Sequence, residues 1–153
     1  MDQTLKISKI KDGTVIDHVP GGKALKILSI LKIGEAAQYT ISIAIRVQSD
    51  SMGQKDVVKI EKRQLQKKEL DKLSLLAPNA SISIIKDFNI VKKFNLSIPD
   101  SISGIIECQN QNCITKTREP VSSSFTIVSK KPIVLKCDFC ERIINEPEVH
   151  QLL

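Results

Sequence analysis

Four cysteines in the last third of the chain are the residues whose type and spacing most directly indicate chemistry. Four residues separate Cys108 from Cys113 and two separate Cys137 from Cys140, and these are all the cysteines in the 153-residue sequence. Two closely spaced pairs, each in a loop, can supply four thiolates to one tetrahedral ion. The pattern predicts one structural Zn²⁺ per chain. Because four thiolates leave no coordination position for water or substrate, such a metal organises a fold and does not catalyse.

Two other interpretations of the cysteines remain open at this point. Cys137 and Cys140 taken alone form the C-x-x-C spacing of a redox dithiol. A redox pair needs no second pair, however, whereas all four cysteines fall within one short segment. Four cysteines also suit a disulfide framework, which requires an oxidising compartment. The first six residues include an early acid and lack the apolar core of an export signal. We therefore predict a cytoplasmic protein in which the cysteines bind zinc.

The residues between the two cysteine pairs predict the element that positions them. Residues 125–129 and 133–136 are rich in β-branched and apolar residues, and the turn at 130–132 contains a proline. They predict a hairpin whose second strand leads into the second cysteine pair. This layout is that of a zinc ribbon, and we assign residues 99–153 to a small all-β zinc-binding domain.

Charge is distributed unevenly along the chain. Residues 1–100 contain 17 Lys and Arg against 11 Asp and Glu, whereas residues 101–153 contain six of each. The whole net charge of +6 therefore belongs to the amino-terminal part. A neutral ribbon with few aromatic residues suits a protein partner better than a nucleic acid. No apolar run approaches the roughly 18 residues that a membrane span requires, so we predict no membrane association.

Apolar periodicity in the first hundred residues predicts an α+β domain. Strands are expected at 14–19, 39–47, 56–60, 80–85 and 88–94, a helix from 24 to 33 that Gly34 ends, and a second helix from about 64 to 76. The order strand, helix, strand, strand, helix, strand is that of the ferredoxin-like fold, an antiparallel sheet with both helices on one face. A proline-containing polar segment follows, and we place the domain boundary after residue 98.

Candidate binding residues in this domain are basic. The sequence has no phosphate-binding glycine motif. Asp17 and His18 suggest a base and its orienter, but neighbours in a regular strand point to opposite faces, and no nucleophile accompanies them. If Lys59 and Lys93 end two strands, their ammonium groups are placed to converge with His18 on a polyanion such as a triphosphate. The alternative is that His18 simply ends a strand.

Several segments together resemble one known family over essentially the whole chain, the regulatory chains of aspartate carbamoyltransferase. The order and spacing of the segments carry the resemblance, and the segments are residues 13–20, 52–61, 77–80 and 119–125 together with the four cysteines. Chains of this family are not enzymes. The resemblance implies a ferredoxin-like allosteric domain in residues 1–98 and a zinc domain that holds the catalytic chains.

The resemblance also implies roles for individual residues. His18 and Lys93 would meet phosphates, Lys59 the ribose and base, and Asp17 and Lys55 the same polar network. Backbone groups of Lys9 and Ile10 would read the base edge. Ser83 and Phe88 stand where relatives often have asparagine and tyrosine, which affects the ranking of nucleotides. In the zinc domain, the positions that match contacts with the catalytic chain are Asn110, Asn112 and Glu141.

The function that the resemblance implies is allosteric regulation in pyrimidine biosynthesis. CTP and UTP, in competition with ATP, would bind the amino-terminal domain, which would also pair with the same domain of a second regulatory chain. The zinc domain would attach to the catalytic chains, which carry out the carbamoyl transfer. An alternative from another class is a zinc-ribbon protein of transcription or translation that uses its basic domain on RNA. Salt-dependent RNA binding without nucleotide preference distinguishes the two.

Overall fold

The computed structural model describes residues 9–35, 37–118 and 121–153. The chain divides into two compact units, residues 1–96 and 97–153, two residues before the boundary predicted from the sequence. No helix in the described part of the chain is both long and apolar enough to cross a membrane. The described residues do not include residues 1–8, which belong to the predicted first domain. They also lack Glu119 and Pro120, the first two residues of the segment 119–125 considered in the sequence analysis.

In its described residues, the amino-terminal unit contains five strands and two helices. Its elements, in chain order, are β1 (Gly13–Pro20), α1 (Ala24–Ile30), β2 (Ile41–Ser49), β3 (Gly53–Glu61), α2 (Lys67–Leu76), β4 (Ser81–Lys86) and β5 (Asn89–Asn95). The strands form one sheet in the order β2-β3-β1-β4-β5, and every neighbouring pair is antiparallel. The first four strands and two helices reproduce the ferredoxin-like unit, and β5 extends it at one edge. The predicted fold class is confirmed.

The two faces of this sheet differ in their side chains. Val58, Ile16 and Ile82 lie side by side on β3, β1 and β4 and are buried. They form the core with apolar residues of the helices, including Ile27 and Leu73. Because residues alternate between faces along a strand, the next row, from Lys59 to Lys93, lies on the opposite face. That face carries the candidate site.

Helix α1 ends earlier than the sequence predicts. Lys32, not Gly34, adopts the left-handed backbone that terminates the helix, with φ of 57°. The N–H of Ile33 donates to the carbonyl of Leu28, and that of Lys32 to the carbonyl of Ser29. This pair of hydrogen bonds is the Schellman arrangement, which satisfies carbonyls of the last turn. The prediction failed because glycine is favoured but not required at this position.

Helix α2 begins at Lys67, about three residues later than predicted. Its cap is Gln66, whose backbone N–H donates to Oε1 of Glu69 at 3.0 Å. The guanidinium of the preceding Arg63 donates hydrogen bonds to the hydroxyl of Tyr39 and to the carbonyl of Leu31, both at 3.0 Å, and to Oε2 of Glu69 on α2. These contacts link α2 to the end of α1, and they involve residues too distant in sequence for a local pattern to predict.

The carboxy-terminal unit is a four-stranded antiparallel sheet followed by a short helix. Its strands are β6 (Ser101–Ser103), β7 (Ser124–Lys130), β8 (Ile133–Cys137) and β9 (Ile143–Asn145), in the order β6-β7-β8-β9. The predicted β7–β8 hairpin is present. Helix α3 (Glu146–Leu152) was not predicted, although Asn145 precedes it and two glutamates and a proline occupy its first turn. These are ordinary signals of a helix start.

Candidate functional site

The four cysteines form one cluster in the carboxy-terminal unit. Their sulfur atoms all lie within 4.8 Å of one another, with 3.5 Å between Cys108 and Cys140 and 3.8 Å between Cys113 and Cys137. A tetrahedral zinc ion with bonds of about 2.3 Å requires sulfurs about 3.8 Å apart. These distances are far longer than the roughly 2.05 Å of a disulfide, and all four cysteines are free. The geometry fits a four-thiolate zinc site.

Each cysteine pair sits in a turn whose backbone is fixed by hydrogen bonds. In the first turn, the N–H of Cys113 donates to the carbonyl of Asn110, and the N–H of Asn112 donates to the Asn110 side chain. In the second, the N–H of Glu141 donates to the carbonyl of Cys137, and Glu141 takes a left-handed backbone with φ of 65°. The sulfurs are therefore presented by rigid loops.

The electrostatics of the cluster favour a cation. Burial raises the pKa of the Cys108 thiol to about 12, whereas the backbone N–H of Arg142 lowers the pKa of Cys140 to about 6. Four thiolates this close repel one another strongly unless a positive ion lies between them. Among residues 9–35, 37–118 and 121–153, this is the only group of three or more such ligands placed to hold a metal. The predicted structural zinc is confirmed in its donor set, and its closed coordination leaves no position for a substrate.

Asp138 fastens the second cysteine turn to the sheet. Its carboxylate accepts hydrogen bonds from the hydroxyls of Ser124 and Thr126 on β7, both at 2.5 Å, and its own N–H donates to the carbonyl of Ser124. The Ser124 hydroxyl, and then that of Thr126, lower the pKa of this carboxyl. No local pattern predicts this role of Asp138, because the contacts arise only when β7 pairs with β8.

A second candidate site is a cavity of about 560 Å³ on the helix-free face of the amino-terminal sheet. This volume lies within the range of small-molecule sites. Every strand of the sheet contributes to it, as do residues just before β1 and in the β4–β5 turn. Its lining consists of Lys9, Ile10, Val15, Asp17, Ala44, Val47, Lys55, Val57, Lys59, Ser81, Ser83, Ile85, Phe88, Ile90 and Lys93.

Six of the seven residues predicted for a nucleotide site line this cavity. Lys59, Val15, Ser83 and Lys93 are consecutive partners across four strands, so the two lysines stand at opposite ends of one row. With strands about 4.8 Å apart, their Cα atoms are separated by about 14 Å. Neither lysine ends its strand, contrary to the sequence expectation. Sequence analysis missed the apolar floor of valines and isoleucines, which strand pairing alone brings together.

Asp17 and Lys55 form an ion pair at the edge of the cavity, with 2.9 Å between Nζ and Oδ1. Burial raises the pKa of the Asp17 carboxyl. This effect is outweighed by hydrogen bonds from Lys55 and from the N–H of His18 and by the charge of Lys55, so the pKa of the carboxyl is lowered overall. Asp17 is therefore held as a carboxylate, and it orients the ammonium group of Lys55 beside the cavity.

His18 is the seventh predicted residue, and it lies next to the cavity but is not part of its lining. Its ring Nδ1 is hydrogen-bonded to the hydroxyl of Ser81, which does line the cavity, at 2.9 Å. The expectation that Asp17 and His18 point to opposite faces is wrong. A β-bulge interrupts the register between Ile16 and Val19, and His18 has φ of 57°. The bulge brings the two side chains to within 3.9 Å, on the same side of β1.

Ser83 and Phe88 occupy different parts of the cavity. Ser83 is buried in the floor between Val15 and Lys93. Phe88 is 59% exposed at the rim, in the β4–β5 turn, with a left-handed φ of 66°. Its N–H donates to the carbonyl of Lys11, which ties the turn to the segment that contains Lys9 and Ile10. A bulky residue rarely takes this conformation, so the surrounding contacts hold the backbone of the turn.

The residues predicted to contact a partner chain lie in the two cysteine turns. Asn112 and Glu141 are exposed, and Asn110 is half-buried. Two apolar side chains that sequence analysis did not select, Ile114 and Phe139, are 44% and 48% exposed in the same loops. Ile114 directly follows Cys113, and Phe139 lies between Cys137 and Cys140. These positions could have indicated their exposure, because a residue in or beside a metal-binding turn is held at the surface.

Comparison with known proteins gives matches over nearly the whole chain. Residues 5–97 match the family model "Aspartate carbamoyltransferase regulatory chain, allosteric domain", and residues 100–150 match the model of the metal binding domain of the same chain. The regulatory chain of Thermoplasma volcanium is 57% identical over 98% of this chain and 99% of its own length. The regulatory chain of Thermoplasma acidophilum is 54% identical over 97% of this chain and 99% of its own length. That of Thermococcus kodakarensis is 46% identical over 100% of both chains.

Proposed function

This chain belongs to the family of aspartate carbamoyltransferase regulatory chains, and we propose from that membership that it makes a catalytic partner respond to nucleotides. It is the regulatory, non-catalytic subunit of an enzyme complex of pyrimidine biosynthesis. CTP and UTP, in competition with ATP, bind the domain of residues 1–98. The zinc domain of residues 99–153 attaches to the catalytic chains, which perform the carbamoyl transfer in the cytoplasm.

The cavity on the helix-free sheet face carries this proposal. It combines an apolar floor, which suits a nucleobase, with ammonium groups at both ends, which suit phosphates and sugar hydroxyls. His18 and Lys93 meet the phosphates, and Lys59 meets the ribose and base. Asp17 and Lys55 complete the polar network. Backbone groups of Lys9 and Ile10 read the base edge.

Attachment to partners uses both units. Asn110, Asn112 and Glu141 contact the catalytic chain from the two cysteine turns, and the zinc ion fixes their loops without touching the partner. The amino-terminal domain pairs with the same domain of a second regulatory chain. Binding of a nucleotide shifts the complex between two states only if its affinity for them differs, and linkage then requires that substrate binding alters nucleotide affinity by the same factor.

Replacement of phosphate-binding residues in the full-length chain tests the nucleotide site. Lys93→Ala and His18→Ala each remove a charge-assisted contact or a hydrogen bond, so we expect triphosphate affinity to fall roughly tenfold to a hundredfold, with a much smaller change for the nucleoside. Calorimetric titration with CTP, ATP and the corresponding nucleosides measures both. Equal losses for nucleoside and triphosphate would remove these residues from the phosphate role.

Lys92→Ala is the matched control for Lys93→Ala. Lys92 is the preceding residue on β5, and its ammonium lies 5.4 Å from the ring centroid of Phe94, away from the cavity lining. The two variants remove the same charge from the same strand. If general electrostatic attraction holds the triphosphate, they weaken binding equally, and RNA binding of similar salt dependence then favours the alternative RNA-binding function.

The regulatory role is tested on the complex reconstituted with catalytic chains. Nucleotide dissociation constants are measured with and without a bisubstrate analogue bound to the catalytic chains. A coupling free energy of about 1–3 kcal/mol, typical of allostery, changes these constants by a factor of about 5 to 150. Identical constants together with an unchanged aspartate saturation curve would show a scaffold and not a regulator.

A further inference from the structure

Asp56 is a fully buried carboxylate on the helix-facing side of β3. Along this strand Lys55, Val57 and Lys59 face the cavity, whereas Val58 and Ile60 face the helices and are buried. Asp56 therefore occupies a position in a row that is otherwise apolar. A buried carboxylate requires hydrogen-bond donors around it, and those donors show what it holds in place.

Three backbone N–H groups from two other segments donate to this carboxylate. Gly22 and Ala24 donate to Oδ2 at 2.9 and 2.8 Å, and Arg46 donates to Oδ1 at 2.8 Å. The first two lie at the start of α1, where N–H groups have no partner within the helix. The third lies in β2, where the register with β3 shifts between Ala44 and Val47. Asp56 thus satisfies donors that the regular elements leave without partners.

Strand β3 is flanked by a bulge on each side at the same level. Residues 17–18 of β1 lie opposite Val57, and residues 45–46 of β2 lie opposite Asp56. His18 and Arg46, the second residue of each bulge, have φ of 57° and 59°. Left-handed conformations of residues other than glycine persist only where surrounding contacts impose them. Asp56 holds Arg46 directly, and it holds the segment that follows the His18 bulge through Gly22 and Ala24.

We propose that Asp56 is a positioning residue for the end of the cavity formed by Asp17, His18 and Lys55. It touches no ligand. It acts from the opposite side of the sheet by fixing the two bulges, of which one places His18 beside Asp17 on the cavity side of β1 and the other places Val47 beside Lys55. The proposal rests on the proposed nucleotide function and adds to it the residue that shapes the polar end of the site.

Asp56→Asn in the full-length chain tests this role, because the amide places a donor against backbone donors while keeping the size of the side chain. We expect triphosphate affinity to fall about tenfold and nucleoside affinity to change less than about threefold, since a displacement on the order of 1 Å disrupts polar contacts far more than apolar ones. Calorimetry with ATP, CTP and their nucleosides is performed at a temperature where circular dichroism shows the variant to be folded.

Val58→Ala is the matched control. Val58 is fully buried on the same face of the same strand, two residues away, and its apolar side chain can form no hydrogen bond to either bulge. We expect this variant to melt at a lower temperature, as Asp56→Asn does, but to keep the wild-type ratio of triphosphate to nucleoside affinity. A purely structural role for Asp56 predicts the same unchanged ratio in both variants.

Amide hydrogen exchange on the wild-type chain gives a measurement that does not depend on a variant folding. Saturating triphosphate should slow exchange at Arg46, Gly22 and Ala24, and nucleoside should slow it less. Two results overturn the positioning role alone. One is exchange at these amides that is identical with triphosphate and with nucleoside, and the other is an unchanged ratio of triphosphate to nucleoside affinity in folded Asp56→Asn. A wild-type chain that binds no triphosphate overturns the proposed function and the positioning role together.

Discussion

The two units of this chain use different means to stabilise a small antiparallel sheet. In the amino-terminal unit, α1 and α2 cover one face, and the core is apolar. In the carboxy-terminal unit, the buried apolar residues are fewer, and four cysteine sulfurs gather at one end of the sheet. A unit of 57 residues buries little surface, so a metal supplies stability that a second layer would otherwise provide.

This difference separates the two functions. Because helices cover only one face of the first sheet, its other face is available for a ligand-binding cavity, and all the net positive charge is in that part of the chain. The metal of the second unit has closed coordination and fixes two surface loops. Under the proposed function, one unit responds to a ligand and the other presents a rigid surface.

Loss of one zinc ligand should unfold only the carboxy-terminal unit. Cys137→Ser leaves a site that cannot close, and structural zinc contributes about 10–16 kcal/mol of apparent binding free energy in zinc-finger peptides. Cobalt substitution reports this unit by thiolate absorption. The fluorescence of Tyr39, the sole tyrosine in a chain without tryptophan, reports the other. A cooperative loss of both signals would contradict independent stabilisation, and Ser129→Ala, in the same unit but away from the metal, is the control.

A cavity in the apolar core should destabilise only the amino-terminal unit. Leu73 is fully buried on α2. Truncation of a buried leucine costs about 2–5 kcal/mol, so Leu73→Ala should lower the urea midpoint of the Tyr39 signal. Zinc content and cobalt absorption should be unchanged. The exposed Leu25 on α1 offers a matched replacement, Leu25→Ala, with little expected effect. Loss of metal from the Leu73 variant would show that the units do not fold separately.

Nucleotide should stabilise one unit selectively. A ligand at a hundred times its dissociation constant stabilises the state that binds it by about 2.7 kcal/mol. Saturating ATP or CTP should therefore raise the melting temperature seen by Tyr39 and leave the cobalt signal unchanged in the isolated chain. Lys93→Ala requires a higher nucleotide concentration for the same shift. A parallel rise in both transitions would place the ligand elsewhere.

Acid should remove the small contribution that Asp17 makes to the stability of the amino-terminal unit. The pKa of Asp17 is lowered in the folded state, so its contribution to stability is complete above its ordinary pKa near 4 and is lost as pH falls through the lower folded value. Since this carboxylate is partly exposed, the effect should be modest. Asp17→Asn should flatten the fall in stability below about pH 4, whereas the exposed Asp50→Asn should not. Tyr39-detected urea unfolding at several pH values measures both.

Features that depend on local pattern could be predicted from the amino-acid sequence. Cysteine spacing predicted the zinc site because short covalent spacing already limits where the four sulfurs can lie. Alternation of apolar residues predicted the strands and the ferredoxin-like order of the first unit. Helix ends were less well predicted, since Lys32 takes a left-handed conformation that usually favours glycine, and the Asn145 cap signal was overlooked.

The arrangement of the polar residues in the cavity depends on contacts between segments that are distant in sequence. Register between strands distant in sequence places Lys59, Val15, Ser83 and Lys93 in one row, and a bulge turns His18 to the side of Asp17. The donors to Asp56 are Gly22, Ala24 and Arg46, which are separated from it in sequence by 34, 32 and 10 positions. A strand pattern with a period of two cannot predict an inserted residue, because a bulge reverses the face of every side chain that follows it.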